Sequence, residues 1–151
     1  MNISKFTQKS VQAVQNCEKL AYTYGHQEID VEHLLLSLYD LEDSLIKKLL
    51  TKMDVEESSF RQSLEQSLNR RPKVSGGNLY LSADLNKVLL NAEDEAKRMG
   101  DQYVSVEHLF LSMLATPGRA VKELFRQYGI DKEKFLQALS TVRGNQQVTS
   151  D

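Results

Sequence analysis

The sequence predicts an all-α domain assembled from two pseudo-two-fold-related four-helix repeats. Three observations lead there. Apolar residues recur at three- and four-residue steps through most of the chain, the period of helices with one buried face. Only two prolines, Pro72 and Pro117, interrupt 151 residues. The nonapeptide DVEHLLLSL, Asp30 to Leu38, returns 75 positions later as SVEHLFLSM, Ser105 to Met113.

The first helix is carried by Val11, Val14, Leu20, Ala21 and Tyr24, with Cys17 in phase. Thr7 suits its N-cap, and Phe6 and Val11 occupy the positions of a hydrophobic staple. Gly25 stands where a helix commonly ends in a left-handed residue. Asp30 caps a second helix, Val31 to about Tyr39. A third covers roughly Ser44 to Lys52, and a fourth runs from about Val55 to Asn69 on Phe60, Leu64 and Leu68. Pro72 and Gly76-Gly77 mark a connector. Asn78 to Leu81 suit an extended conformation, but no alternating stretch is long enough to require a strand.

After the connector the pattern begins again. A shift of 75 residues aligns Phe6–Leu64 with Leu81–Leu139 without a gap, and sixteen of those fifty-nine positions are identical. Gly25 meets Gly100, Gln27 meets Gln102, Leu49 meets Leu124, Phe60 meets Phe135 and Leu64 meets Leu139. Capping residues match in type, Thr7 with Ser82 and Asp30 with Ser105. Caps, helix ends and apolar anchors therefore repeat together, as in a duplicated fold. The boundaries that follow are repeat one at 6–70, a linker at 71–80 and repeat two at 81–143, within one domain at 1–144. A unit of about 65 residues is marginal alone, so the two should share a core. Two copies are too few for an open solenoid. A closed arrangement should leave a groove at the seam, near the linker and the starts of helices one and five.

Composition narrows the function. A formal charge of −2 gives no general electrostatic reason for nucleic acid as a partner, and the basic cluster Asn69–Lys73 suits a helix end. No apolar run approaches the ~20 residues of a membrane span, and the N-terminus lacks the apolar core of a signal peptide. A single Cys17 excludes an internal disulfide, and the cytoplasm is the expected compartment. The two Glu-His pairs are poor metal half-sites. Adjacent residues lie about 100° apart around a helix, so one pair does not aim at one ion. Each His is expected to pack or hydrogen-bond locally, with each Glu favouring the positive helix start. Cys17 read as a nucleophile with His26 or His33 loses to Cys17 as a small core residue, matched by Ala92 in the second copy. No nucleophile-elbow, Cys-x-x-Cys, dinucleotide or P-loop pattern occurs. The chain reads as a non-catalytic binding module, with apolar side chains near the seam ringed by polar groups.

The residues also carry a family likeness. Phe6-Thr7, Gly25 followed by Ile29-Asp30-Val31-Glu32-His33-Leu34, and Gly100 followed by Tyr103-Val104-Ser105-Val106-Glu107-His108-Leu109 resemble the Clp N-terminal domain, the repeat module at the front of Clp-family AAA+ unfoldases. The likeness spans Phe6 to Arg143. Gly100-Asp101-Gln102-Tyr103, the connector Leu68–Val74 and the stretch Arg143–Thr149 are similar to the ClpB-type disaggregase branch.

The resemblance implies a module that recognises unfolded or aggregated proteins ahead of an ATP-driven threading ring. ATP and Mg would belong to that ring, with no cofactor or metal in this chain. The parent would be a homohexamer acting alongside a DnaK-type chaperone system, and residues 145–151 would begin a flexible linker to the ring. In ClpA- and ClpC-type relatives the same module docks adaptor proteins, which is the alternative reading. Carried onto matching positions, the substrate-contact surface falls on Thr7, Asp101 and Glu107, with Glu107 rather than Glu32 on the presented face. Leu81, Leu85, Val88, Leu89 and Val104 are the candidates for an adjoining apolar groove. Each has a plainer reading too: Thr7 as a cap, the two carboxylates as solvated charges near helix ends, and the apolar five as core.

Overall fold

A computed structural model describes residues 3–144; the expected linker at 145–151 lies outside them. A short 3-10 helix, Ile3–Lys5, leads into α1 (Gln8–Tyr24), β1 (Glu28–Ile29), α2 (Val31–Tyr39), α3 (Leu45–Lys52) and α4 (Glu57–Asn69). The second copy follows as β2 (Tyr80–Leu81), α5 (Ala83–Arg98), α6 (Val106–Ala115), α7 (Gly118–Tyr128) and α8 (Lys132–Arg143). The all-α expectation holds, and the caps fall where the sequence puts them. Thr7 Oγ1 accepts the Ser10 amide proton at 3.2 Å, Gly25 closes α1 at φ 76°, and Asp30, Ser82 and Ser105 stand at N-caps, while Ser44, expected as the first residue of the third helix, is its N-cap. The fourth helix starts later than the apolar pattern indicates, because the Glu56 carboxylate accepts amide protons from Ser58 and Ser59 and so caps it.

Two short strands decide the architecture: β2 falls in the stretch Asn78 to Leu81 that suits an extended conformation, while nothing in the sequence marks β1. β1 pairs in parallel with β2, Ile29 opposite Leu81, and a lone parallel bridge joins Phe6 to Val104. Under the 75-residue shift these are the same contact, since Phe6 corresponds to Leu81 and Ile29 to Val104. The Thr7 amide donates to the Val104 carbonyl at 2.9 Å, and the Ser82 amide donates to the Ile29 carbonyl at 2.8 Å. Each repeat therefore lays the segment before its first helix against the segment before the other repeat's second helix. Two residues are too few to show as an alternating run, so periodicity is blind to them.

The remaining scaffold repeats with equal fidelity. α1 packs on α2 and α5 on α6. Each pair is tied by a serine of the repeated nonapeptide: Ser37 Oγ donates to the Ala13 carbonyl and Ser112 Oγ to the Val88 carbonyl, both at 2.6 Å. Left-handed turns also recur in register. Asp43 (φ 54°) matches Gly118 (φ 75°), and Asp54 (φ 62°) matches Gly129 (φ 66°). Aspartate is one of the few side-chain-bearing residues that visits this region, so one copy uses it where the other uses glycine. Phe60 and Phe135, equivalent by the shift, are both fully buried. Phe135 stacks on Phe110 at 4.6 Å between centroids. Phe60 takes a ring from the other repeat, Tyr128, edge-on at 5.3 Å, and the Tyr128 hydroxyl sits 2.7 Å from both Ser59 and Ser63. Cys17 and Ala92 lie in the core as expected, and burial pushes the Cys17 thiol well above its ordinary pKa.

Because each repeat borrows a pairing segment and core surface from the other, an isolated first repeat ending at Gly77 is expected not to fold. Far-UV circular dichroism should show most helicity lost and amide proton spectra should collapse to narrow dispersion. A cooperatively folded fragment would overturn this account of the fold.

Candidate functional site

The doubled motif builds the start of α2 and of α6 in the same way. His33 and His108 are third in their helices, and the Nδ1 atom of each accepts the amide proton of its own N-cap, Asp30 at 2.9 Å and Ser105 at 2.8 Å. This is the role a Glu or Gln usually fills in a capping box. With Nδ1 an acceptor, each neutral ring carries its proton on Nε2. That proton goes to His26 Nδ1 at 2.8 Å in repeat one and to an Asp101 carboxylate oxygen at 2.6 Å in repeat two. His26 and Asp101 are equivalent by the shift. The expectation that each histidine bonds locally holds, and among the described residues no group of three or more His, Cys, Asp or Glu side chains is placed to hold a metal ion.

Each adjacent glutamate meets an arginine, from the start of the linker in repeat one and from the end of α8 in repeat two. Arg71 reaches Glu28 at 2.7 Å, Asp30 at 3.0 Å and Glu32 at 2.7 Å, while Ser67 also donates to Glu32. In repeat two, Arg143 bonds Asp101 and lies 3.6 Å from Glu107, which also takes the Ser105 hydroxyl proton. Burial alone would raise the Asp30 carboxyl; hydrogen bonds from Ser82 and Val31 and the Arg71 charge hold it below the usual range. Burial likewise works against the Arg71 cation, but Glu32 and Asp30 hold its pKa above the ordinary value. Burial, reinforced by His26 and Arg71, lowers His33 to about 4. Two cations of the basic cluster are thus engaged internally: Arg71 clamps three carboxylates, and Lys73 Nζ donates to the Tyr24 carbonyl at the end of α1, while Arg70 is exposed.

These contacts revise the sequence-based site. Asp101 and Glu107 are not solvated charges, because their side chains are 0% and 7% exposed. Glu107 is not distinguished from Glu32 by presentation, since both are buried and paired with arginine. Leu85, Val88, Leu89 and Val104 are core residues, none more than 2% exposed. They face inward because α5 turns its apolar stripe onto α6 and because Val104 pairs with Phe6. Leu81 alone of the five is open, at 44%.

Two depressions adjoin the Phe6–Val104 bridge. One, about 280 Å³, is walled by Leu41, Leu45 and Val106 with Thr7, Lys9, Asp43, Ser44 and Ser105 around them. The other, about 440 Å³, is polar and includes Lys5, Glu93, Lys97, Asp101 and Tyr103. Leu41, Leu45 and Val106 are absent from the sequence-based list: Leu41 lies in the turn between α2 and α3, and periodicity cannot say that the two repeats bring all three to one depression.

A family model described as the Clp repeat N-terminal domain matches residues 5–128. The chain belongs to the Clp repeat N-terminal domain family. This Clp repeat domain is 41% identical to the chaperone protein ClpB of Nitratidesulfovibrio vulgaris across 99% of the chain. It is 36% identical to the ClpB of Bacillus anthracis, again across 99%. The chain spans 18% of the length of each of these relatives. In fold it resembles the Hsp104 N-terminal domain from Candida albicans, with a TM-score of 0.85 at 20% identity over 97% of this chain and 96% of that one. The N-terminal domain of the ClpV1 ATPase from E. coli gives 0.77 at 23% identity, over 93% and 86%.

Within this Clp repeat domain, the arginine clamps are the contacts that residue spacing conceals. Arg143 and Arg71 enter the sequence pattern only within the exit and connector stretches and, for Arg71, as a helix-end cation, with nothing to pair either with a glutamate. Replacing Arg71 with Ala strands the buried Glu32 charge and is expected to cost on the order of 3 kcal/mol. Urea titration should show it, and Glu32→Gln added to Arg71→Ala should recover part of the loss. A difference under about 0.5 kcal/mol, the scale of an exposed ion pair, would contradict the clamp.

Proposed function

We propose that this chain is the client-recognition module of a ClpB-type ATP-driven chaperone, and that it takes exposed apolar side chains of unfolded or aggregated proteins into the seam depression beside Thr7. The carrying observation is that depression: three apolar side chains, Leu41, Leu45 and Val106, reach it from two different repeats and are ringed by hydroxyls and one charge of each sign. An apolar floor with a polar rim removes water from a client side chain while restricting what else can bind. The depression is small, so little apolar area is covered, and at about 25 cal/mol per Å² most of that gain goes to ordering the client. Micromolar or weaker affinity follows, which suits a module that passes its client onward.

Thr7 stands at the rim and caps α1 at once. Asp101 and Glu107 act as positioning residues in this reading. With Arg143 and His108 they hold the start of α6, and so the placement of Ser105 and Val106 at the depression. Leu81, exposed on β2, offers further apolar contact. ATP and Mg would act in the parent's ring, and a DnaK-type system and a homohexameric parent remain part of the same proposal.

Fluorescence anisotropy of a dye-labelled, permanently unfolded protein tests this directly. Leu45 is the first residue of α3, where a carboxylate suits the helix dipole, so Leu45→Asp should leave the fold intact. It is expected to weaken binding about fivefold, near 1 kcal/mol, whereas Tyr22→Ser at a residue 80% exposed on α1 should have no effect. Unchanged binding by a well-folded Leu45→Asp variant would sink the proposed site.

A further inference from the structure

The buried His26–His33 contact marks repeat one only; Asp101 stands at the position of His26 in repeat two. His33 Nδ1 is occupied by the Asp30 amide proton, so His33 donates through Nε2 to His26 Nδ1. His26 then carries its own proton on Nε2, which is buried and faces the Leu68 carbonyl without reaching good hydrogen-bond geometry. An additional proton has no favourable place. On His33 Nδ1 it would oppose the Asp30 N–H, and on His26 Nδ1 it would oppose the His33 Nε2–H. Either uptake replaces a hydrogen bond with two facing donors.

The surroundings do not absorb the charge. From α1, the Tyr24 ring stacks on His26 at 5.7 Å. From the connector, Arg71 and Lys73 add positive charge that disfavours a second cation. From β1 and α2, Glu28, Asp30 and Glu32 are the available carboxylates, and Arg71 already engages all three. From α4, the Leu68 carbonyl acts on His26 and Ser67 is bonded to Glu32. In repeat two, the corresponding ring faces the Asp101 carboxylate instead of a second imidazole.

We propose that the His26–His33 pair is an acid-sensitive latch built into repeat one alone: proton uptake opens the start of α2 and loosens the connector held by Arg71 and Lys73, while the start of α6 stays closed. The direction follows from proton linkage. Burial holds both rings below the ordinary 6.5, with Arg71 and Lys73 adding to the effect on His26, and His33 falls to about 4. The unfolded chain therefore binds more protons than the folded one between those values. The latch contributes in full above about 6.5 and loses its contribution as the pH falls towards 4.

The test uses the full 151-residue chain in amide-detected NMR between about pH 7.5 and pH 4.5, following the amides of Asp30, Val74 and Ser105. Val74 reports the connector, since its amide donates to the Gly25 carbonyl at 2.8 Å. Asp30 and Val74 are expected to shift or broaden together as the pH falls, with Ser105 unaffected. His26→Asp recreates the arrangement of repeat two and should flatten the Asp30 response. His26→Asn keeps an acceptor towards His33 without a second titrating ring and should do the same, which covers the case where the aspartate variant does not fold. Asp30 and Ser105 titrating in step would overturn the proposal, as would a wild-type response that survives in a folded His26 variant.

Discussion

The crossed backbone pairing is the contact on which this domain depends. Thr7 and Ser82 each cap the first helix of their repeat, and each donates its own amide to a carbonyl of the opposite repeat, Val104 or Ile29. That brings the N-cap of α1 beside that of α6 and the N-cap of α5 beside that of α2. The Ser82 hydroxyl even donates to the Asp30 carboxylate at 2.7 Å, linking the caps of α5 and α2 directly. A capping side chain ordinarily satisfies only local amides. Here the caps also set where the two repeats meet, so helix capping and repeat docking rest on the same residues. Units of about 65 residues gain a core of adequate size only through such sharing.

The seam explains why the motif could duplicate and then diverge. What both copies keep is geometric: the N-cap amide on the histidine, the serine reaching the neighbouring helix, and left-handed turns in register. What differs is the partner of each polar group. Repeat one closes its network through the connector, with Arg71 after α4 reaching back to β1 and α2. Repeat two closes on itself, with Arg143 at the end of α8 reaching Asp101 and Glu107. Helix positions survive either choice because the backbone does not register which cation neutralises the glutamate. The electrostatics do register it, and the same histidine faces an imidazole in one copy and a carboxylate in the other.

Most of the fold was legible in the sequence because helix caps and apolar spacing are local signals. Thr7, Gly25 and Asp30 announce their roles within four residues of themselves. The repeat was legible because sixteen identities over a gap-free alignment bring caps and core anchors into phase together. The candidate site was less so. Spacing assigns Leu85, Val88 and Leu89 to an apolar face but cannot tell a covered face from an open one; α6 covers it. Asp101 and Glu107 look like surface charges until Arg143, more than thirty residues away in sequence, is brought against them. Residues that meet only through tertiary packing leave no periodic trace.

Buried charge at this seam has a physical rationale beyond stability. An ion pair of this kind rarely outperforms a well-packed apolar cluster in free energy, but its hydrogen bonds tolerate few alternative geometries. The start of α6 is held by Ser105, Glu107, His108, Asp101 and Arg143 acting on one another, and Val106 sits in the middle of that group. Val106 is also a wall of the apolar depression. A weak binding surface covers little area and cannot supply the free energy to organise its own floor. In the proposed client-binding role, the floor must therefore be set in advance by contacts that a client does not touch. The polar network beneath α6 meets that requirement, which places Asp101 and Glu107 one layer below the surface on which their residue type alone would have put them.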